Sequence, residues 1–241
     1  MRKLKFVLTV FCILLVSGCG FKKEDELVMV TEAGFAPYEY YKDGKIVGVD
    51  IDIAEEIANR LNKKLVVKDV SFDFLINEVK SGKADFGAAG ISVTEERKQE
   101  VDFSNEYVTS NQVVVVRKDS NVTNFDQVKT SRIVVQLGTI ADTYAHKNYK
   151  DATITTHKKY LTAVEDIKSK KADCLIMDEL PALEIVKENE NLKILDGILF
   201  QDKYGMIVKK GNEQLLNDIN QVLDDLIKEG KIEEYTLNHS L

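Results

Sequence analysis

The sequence predicts an α/β protein of two similar lobes with mostly parallel sheets. Three observations carry this. Short apolar or β-branched runs alternate with segments of helical apolar spacing, the pattern of strands joined by crossover helices. An octapeptide recurs: Val79-Lys80-Ser81-Gly82-Lys83-Ala84-Asp85-Phe86 matches Ile167-Lys168-Ser169-Lys170-Lys171-Ala172-Asp173-Cys174, 88 residues on, each as a helix end, a turn and a strand start. The composition suits a packed core: 241 residues, 44% apolar and 30% charged, with 2 Pro and 13 Gly, exclude a disordered or collagen-like chain.

The chain opens on an address. Arg2, Lys3 and Lys5 precede an apolar run of 11 residues, Phe6 to Val16. A spanning helix needs about 20 apolar residues, so this run is too short to cross a membrane and has the proportions of a secretory signal. It ends in Val16-Ser17-Gly18-Cys19, which resembles a bacterial lipoprotein signal, where the cysteine is acylated and becomes the new N-terminus. An ordinary signal peptide or an apolar N-terminal helix is the alternative; the order of charge, apolar run and small-small-Cys favours the lipoprotein. Residues 1–18 are then removed, Cys19 carries lipid, and residues 19–26 form the lipidated end and a polar tether. The seven residues from Gly20 to Glu26 reach at most about 25 Å. Loss of three positive charges takes the net charge from −7 to −10, which argues against a nucleic-acid partner. Cys12 leaves with the signal, and the one remaining thiol, Cys174, lies in an apolar run typical of a buried strand.

In the body, Leu27 to Thr31 predicts a first strand, and Pro37 and Asp43-Gly44 mark turns. Ile53, Ala54, Ile57, Ala58 and Leu61 follow helical spacing, and Leu65 to Val70 predicts a strand. Leu75, Ile76 and Val79 mark a second helix, stopped by Gly82, and Ala84 to Ala89 the next strand. Val113 to Val116, Ile133 to Val135 and Cys174 to Met177 are further strands, the last preceded by a helix at Val164 and Ile167. Leu215, Ile219, Val222, Leu223 and Leu226 predict a closing amphipathic helix.

Polar residues follow the two repeated strands: Gly90, Ser92, Thr94 and Arg97 after the first, Asp178 and Glu179 after the second. Ligands of open α/β sheets bind beyond the carboxyl ends of the strands, so two lobes facing each other there form a cleft. Thr94 suits an N-cap, which puts Arg97 in the first helical turn, with a guanidinium fork suited to a carboxylate. Local sequence alone favours a surface arginine paired with Glu95, Glu96 or Glu100. Gln136-Leu137-Gly138-Thr139-Ile140-Ala141 runs from strand to helix, and the free N–H groups from Thr139 to Ala141 can hold an anion or simply make a turn. Asp178 can hold an ammonium group; taken alone, an N-cap for the helix that Pro181 helps to start is favoured. Phe35 and Phe72 sit in loops after strands, where aromatics either form a stacking slot or belong to the core.

No Walker-type sequence, no Gly-x-Gly-x-x-Gly and no Gly-x-Ser-x-Gly occurs, and the three His, at 146, 157 and 239, lack metal-ligand spacing. No cofactor, no metal and no catalytic group is therefore expected.

Taken together, Gly48-Val49-Asp50-Ile51-Asp52-Ile53-Ala54-Glu55-Glu56-Ile57-Ala58, Gly90-Ile91-Ser92-Val93-Thr94-Glu95-Glu96-Arg97, Val101-Asp102-Phe103-Ser104, Gln136-Leu137-Gly138-Thr139, Ala172-Asp173 with Asp178, and Tyr204-Gly205-Met206 resemble the extracellular solute-binding proteins of family 3, the polar amino-acid receptors of ATP-binding-cassette importers. The resemblance runs in consistent order from about residue 27 to 237. Val49 departs from the larger residue usual there. The resemblance implies a type II periplasmic-binding-protein-like clamshell joined by two crossover strands, with residues 27–110 plus 205–241 as lobe 1 and 111–204 as lobe 2. It implies that Arg97, helped by Ser92 and the turn at Thr139 and Ile140, holds a ligand carboxylate. Asp178, Gly90 and Ser92 hold its ammonium, Phe35 and Phe72 sandwich its side chain, and Gln136 lies in the second-lobe turn. Ile140 stands where Thr or Ser is usual, so only its backbone N–H carries over. Glu32, where many relatives have Asp, faces the polar end of the side chain. The expected ligand is a cationic or amide amino acid, with cystine as a competitor. The expected setting is an extracytoplasmic, lipid-anchored monomer that delivers to an importer permease.

Two other readings stay open. The same fold serves prephenate- or arogenate-dehydratase-like enzymes, which place a Glu near the ammonium position; Asp178 argues against this and Glu179 leaves slight room. A membrane receptor's sensor domain is the third, against which stands the polar tail to Leu241.

Overall fold

A computed structural model describes residues 25–240. The signal segment 1–18, Cys19 and the tether as far as residue 24 lie outside the described residues. Glu26, expected at the end of the tether, instead opens the first strand, paired with Lys64.

The chain runs β1 (Glu26–Thr31), β2 (Tyr40–Lys42), β3 (Lys45–Val47), α1 (Val49–Arg60), β4 (Lys64–Asp69), a single 3-10 turn (Phe72–Phe74), α2 (Leu75–Lys80), β5 (Phe86–Gly87), α3 (Glu95–Lys98) and β6 (Val101–Phe103). It continues through β7 (Val108–Arg117), α4 (Phe125–Val128), β8 (Arg132–Gln136), α5 (Ile140–Asn148), β9 (Thr153–His157), α6 (Tyr160–Lys168), β10 (Cys174–Asp178), α7 (Glu179–Glu188), β11 (Leu192–Ile194) and β12 (Phe200–Tyr204). It ends with β13 (Ile207–Lys209), α8 (Glu213–Lys228) and α9 (Lys231–His239).

Two sheets result. The first has the order β4-β1-β5-β13-β6; the second has the order β11-β7-β10-β8-β9, with β12 also on β7. The sheets are mixed, not mostly parallel. β1 is parallel to β4 and β5, and β8 is parallel to β9 and β10. β13 and β7 run antiparallel to every strand they pair with. A chain that leaves one sheet for the other must return, and the returning strand lies antiparallel to its neighbour: β12 pairs beside β7 from Tyr204↔Val108 to Phe200↔Gln112.

Strands covered on both faces read as unbroken apolar runs. Leu27 to Val30, Val113 to Val116 and Cys174 to Met177 are all buried accordingly. Burial raises the Cys174 thiol to about 12, so it is an inert core group. α8 buries one stripe, Leu215, Ile219, Val222, Leu223 and Leu226, and truncating such a side chain to Ala costs about 2–5 kcal/mol. The expected strand from Ala84 to Ala89 shrinks to Phe86–Gly87, because at Asp85 the side chain takes over, accepting from the Val28 N–H at 2.7 Å.

The repeated octapeptide folds the same way twice. Asp173 Oδ2 accepts from the Arg132 N–H at 3.0 Å, as Asp85 does from Val28. Gly82 and Lys170 both adopt a left-handed backbone, with φ of 74° and 63°. At Gly48 no other residue fits: its φ is 137° and an added Cβ would lie 2.1 Å from the Tyr38 carbonyl oxygen.

Candidate functional site

The carboxyl ends of β1, β5, β8 and β10 converge on one narrow cavity. Glu32, Phe35, Phe72, Gly90 and Ser92 line it from the side of the first sheet, and Gln136, Thr139, Ile140 and Asp178 from the side of the second. Nine of the ten expected residues therefore meet in one place. The tenth, Arg97, lines an adjoining space with Phe72 and Gly138.

Arg97 is set by its helix. Thr94 caps α3, its hydroxyl accepting from the Arg97 N–H at 3.2 Å, which turns the side chain back over the strand ends. Nη1 donates to the Ser92 carbonyl at 2.7 Å and Nη2 donates across the cleft to the Gly138 carbonyl at 2.9 Å. The guanidinium carbon lies 5.5 Å from the Phe72 ring centroid. The surface pairing favoured by local sequence is not what forms. Desolvation lowers the Arg97 pKa to about 10, which leaves it charged at neutral pH. Two carbonyls occupy one N–H on each terminal nitrogen, which leaves three donors of the five-donor fork without a side-chain or backbone acceptor among the described residues.

Asp178 ends β10 and does not cap α7 with its side chain. Instead Oδ1 accepts from Ser110 Oγ at 2.8 Å and from the Tyr204 hydroxyl. Burial, followed by the charge of Asp202, raises its pKa to about 7. Asp202, on β12, accepts from Ser92 Oγ at 2.5 Å and is itself raised by burial. An ammonium group placed here would hold Asp178 ionised. Thr139 caps α5, accepting from the Asp142 N–H at 3.2 Å. Glu179, the residue the enzyme reading needs, accepts from Asn111 at 2.6 Å and does not line the cavity.

Glu32 lines the cavity with its charge already matched, contrary to the expectation of a free negative partner. Oε1 pairs with Lys159, and Oε2 accepts from Gln136 Nε2 at 3.1 Å. The aromatic slot also differs. Phe35 stacks with Tyr38 and with Tyr160, at centroid distances of 5.8 and 5.5 Å. Phe72 instead underlies Arg97.

Tyr160, Glu39 and Lys159 were not legible as site residues. The 88-residue repeat is the signal that reaches Tyr160: it counterparts Phe72, as Asp178 counterparts Gly90. Glu39 lies in Pro37-Tyr38-Glu39-Tyr40, where nothing local separates a buried acid from a surface one. Asp50, in the Gly48–Ala58 segment, is a buried brace: it accepts from the Gly90 N–H at 3.0 Å and from the Tyr107 hydroxyl at 2.7 Å. Burial raises its pKa to about 6. Among the described residues, no group of three or more His, Cys, Asp or Glu is arranged to hold a metal ion, and no helix is long and apolar enough to cross a membrane.

Residues 27–239 match the family model of the bacterial extracellular solute-binding proteins, family 3. The chain belongs to that family. Its relatives include the arginine-binding extracellular protein ArtP of Bacillus subtilis, 27% identical over 97% of this chain and 96% of the relative. The family's solved structures include a mutant of ArgBP from T. maritima, 36% identical with a TM-score of 0.84, over 88% of this chain and 93% of that one. They also include AbpA from Streptococcus pneumoniae bound to L-arginine, 30% identical with a TM-score of 0.85, over 89% and 94%. These structures share the two-lobe, type II periplasmic binding-protein fold. Other family relatives are named for glutamine, cystine and histidine.

Proposed function

We propose that this protein binds a polar L-amino acid outside the cytoplasm, between its two lobes, and presents it to an ATP-binding-cassette importer. One observation carries the reading: a half-buried cation, Arg97, beside the cavity, a buried acid, Asp178, in its wall, and the rings of Phe35, Phe72 and Tyr160 in the same lining. That is the complement of a zwitterion carrying a side chain. The free N–H groups of Arg97, with Ser92, Thr139 and the Ile140 N–H, take the carboxylate; Asp178, with Gly90 and Ser92, takes the ammonium. Residues 27–110 with 205–241 form lobe 1 and residues 111–204 lobe 2, hinged where β7 and β12 pair. Clamps on both lobes make the closed state the better binder. The relatives named for arginine, glutamine, histidine and cystine support a polar side chain. The protein acts as a monomer held at the membrane by lipid on Cys19.

A thermal-shift screen of the twenty amino acids and cystine tests this, because a ligand bound only by the folded state raises the melting temperature. A shift with arginine, glutamine, histidine, lysine or cystine is expected. No shift with any amino acid contradicts the reading.

A further inference from the structure

The cavity holds a buried acid that the zwitterion clamp does not use. Glu39 is fully buried and lines the cavity; no donor of the protein meets its carboxyl oxygens, and the side chain it does face in hydrogen-bond contact is another acid, Asp50. A buried acid that meets no donor is costly, and such groups are normally satisfied. The other acids around it offer no donor. Asp50 Oδ1 and Oδ2 accept from Tyr107 and Gly90, and Glu39 can only donate to Asp50 in its turn when it carries a proton. Glu32 is shared between Lys159 and Gln136 and is folded back over its own turn, where a Cβ at Gly34 would meet Oε1 at 3.1 Å. Asp178 faces Ser110 and Tyr204. The backbone fixes Glu39 next to the aromatic slot, because its carbonyl accepts from the Phe35 N–H at 2.8 Å and its N–H donates to the Phe35 carbonyl at 3.2 Å.

We propose that Glu39, rather than Glu32, reads the polar end of the ligand side chain, and that it takes a planar nitrogen end, a carboxamide or a guanidinium. This rests on the amino-acid-binding reading above. A carboxyl matches either end with paired hydrogen bonds, in different protonation states. As the neutral acid it donates to an amide oxygen and accepts from an amide N–H; as the carboxylate it accepts two N–H groups of a guanidinium. The groups facing it are Asp50 on α1, Glu32 after β1, Asp178 at the end of β10, and the hydroxyls of Tyr38 and Tyr107. Burial, followed by the Asp50 charge, lifts its pKa well above the usual carboxylate range. Glutamine therefore meets the proton in place, whereas arginine drives it out to solvent. Asp178 releases its own proton to any α-ammonium, so the difference between the two ligands belongs to Glu39 and the Asp50 it faces, and the Glu39 variants isolate the share of Glu39.

The test is calorimetry on the purified full chain with L-arginine, L-glutamine and L-norvaline, in buffers of different ionisation enthalpy. The wild type is expected to bind arginine or glutamine above norvaline, and to release about one proton more with arginine than with glutamine near neutral pH. In Glu39→Gln, arginine should weaken roughly 30-fold or more while glutamine changes little, since the paired bonds to an amide survive and the ion pair does not. Glu32→Gln can lower affinity through its link to Lys159, but should leave the arginine-to-glutamine ratio unchanged. Urea transitions of both variants control for folding, with Glu39→Met as a second variant. The proposal is overturned by an unchanged ratio in Glu39→Gln, by equal losses for all three ligands, by a ratio that moves with Glu32→Gln, or by tight cystine binding without arginine or glutamine. If no amino acid binds the wild type, the amino-acid-binding reading falls as well, an outcome distinct from all of these.

Discussion

Gln136 Nε2 donates to Glu32 Oε2 at 3.1 Å, and the two residues hold the same place in their respective lobes. Each follows by four positions the strand N–H that the repeated aspartate pins, Val28 by Asp85 and Arg132 by Asp173. Equivalent strand ends thus meet face to face across the cleft. Lys159 adds the charge, bridging from the second lobe to Glu32 and, at 3.6 Å, to Asp69.

Lys159→Ala should therefore open the cleft. It leaves a buried carboxylate with one neutral donor. Lys159 is 41% exposed, so solvent screening limits the loss to about 1–2 kcal/mol. Ligand affinity should drop roughly tenfold, and small-angle scattering should show a larger open fraction. Unchanged affinity and scattering would remove Lys159 as a latch.

The left-handed Lys170 is a repeat position where glycine was not kept. A non-glycine residue there costs about 1–2 kcal/mol, partly offset by the greater freedom glycine gains when unfolded. Lys170→Gly also gives up an exposed ion pair with Asp119, worth a few tenths of a kcal/mol at roughly the typical value. The net expectation is a gain of about 0.5 kcal/mol in urea unfolding. A loss of stability would show that the backbone there is not strained.

Buried acids make the ligand-free protein sensitive to base. Asp50 and Asp178 are raised to about 6 and 7, so the folded state holds protons that the unfolded chain has released. Their contribution is full below the unfolded carboxylate range near pH 4 and is lost as pH rises through about 6 to 7. Urea unfolding without ligand should show stability falling from pH 5 to 7.5, less steeply in Asp178→Asn. Stability rising across that window contradicts the burial of neutral acids.

Cys19→Ala should leave the chain uncleaved or shed from the membrane, since two acyl chains anchor where one is marginal. A variant that fractionates and migrates like wild type rules out the lipid.

Much of this was written plainly in the chain. The apolar runs at 27–30, 113–116 and 174–177 are buried strands because both faces are covered, and the repeat announced two lobes. What stayed hidden depends on the other lobe. β9, with the sequence Thr-Ile-Thr-Thr-His, buries no residue fully, β12 alternates buried with exposed residues, and neither carries a continuous apolar signal. The partners of Glu32 come from residues more than a hundred positions away, and the side chain of Asp178 chose Ser110 and Tyr204 over its own helix. Such pairings are set by closure of two lobes, which no local pattern encodes.

Calorimetric titration of L-arginine and L-glutamine into wild type, Arg97→Ala and Asp178→Ala tests the zwitterion clamp most directly. Each variant removes one partner of a buried charge pair, so each should lose about 2–5 kcal/mol, roughly 30- to several-thousand-fold in affinity, with melting temperatures near that of wild type. Near-normal affinity in either variant, with its fold intact, would contradict the assignment of that residue to the site.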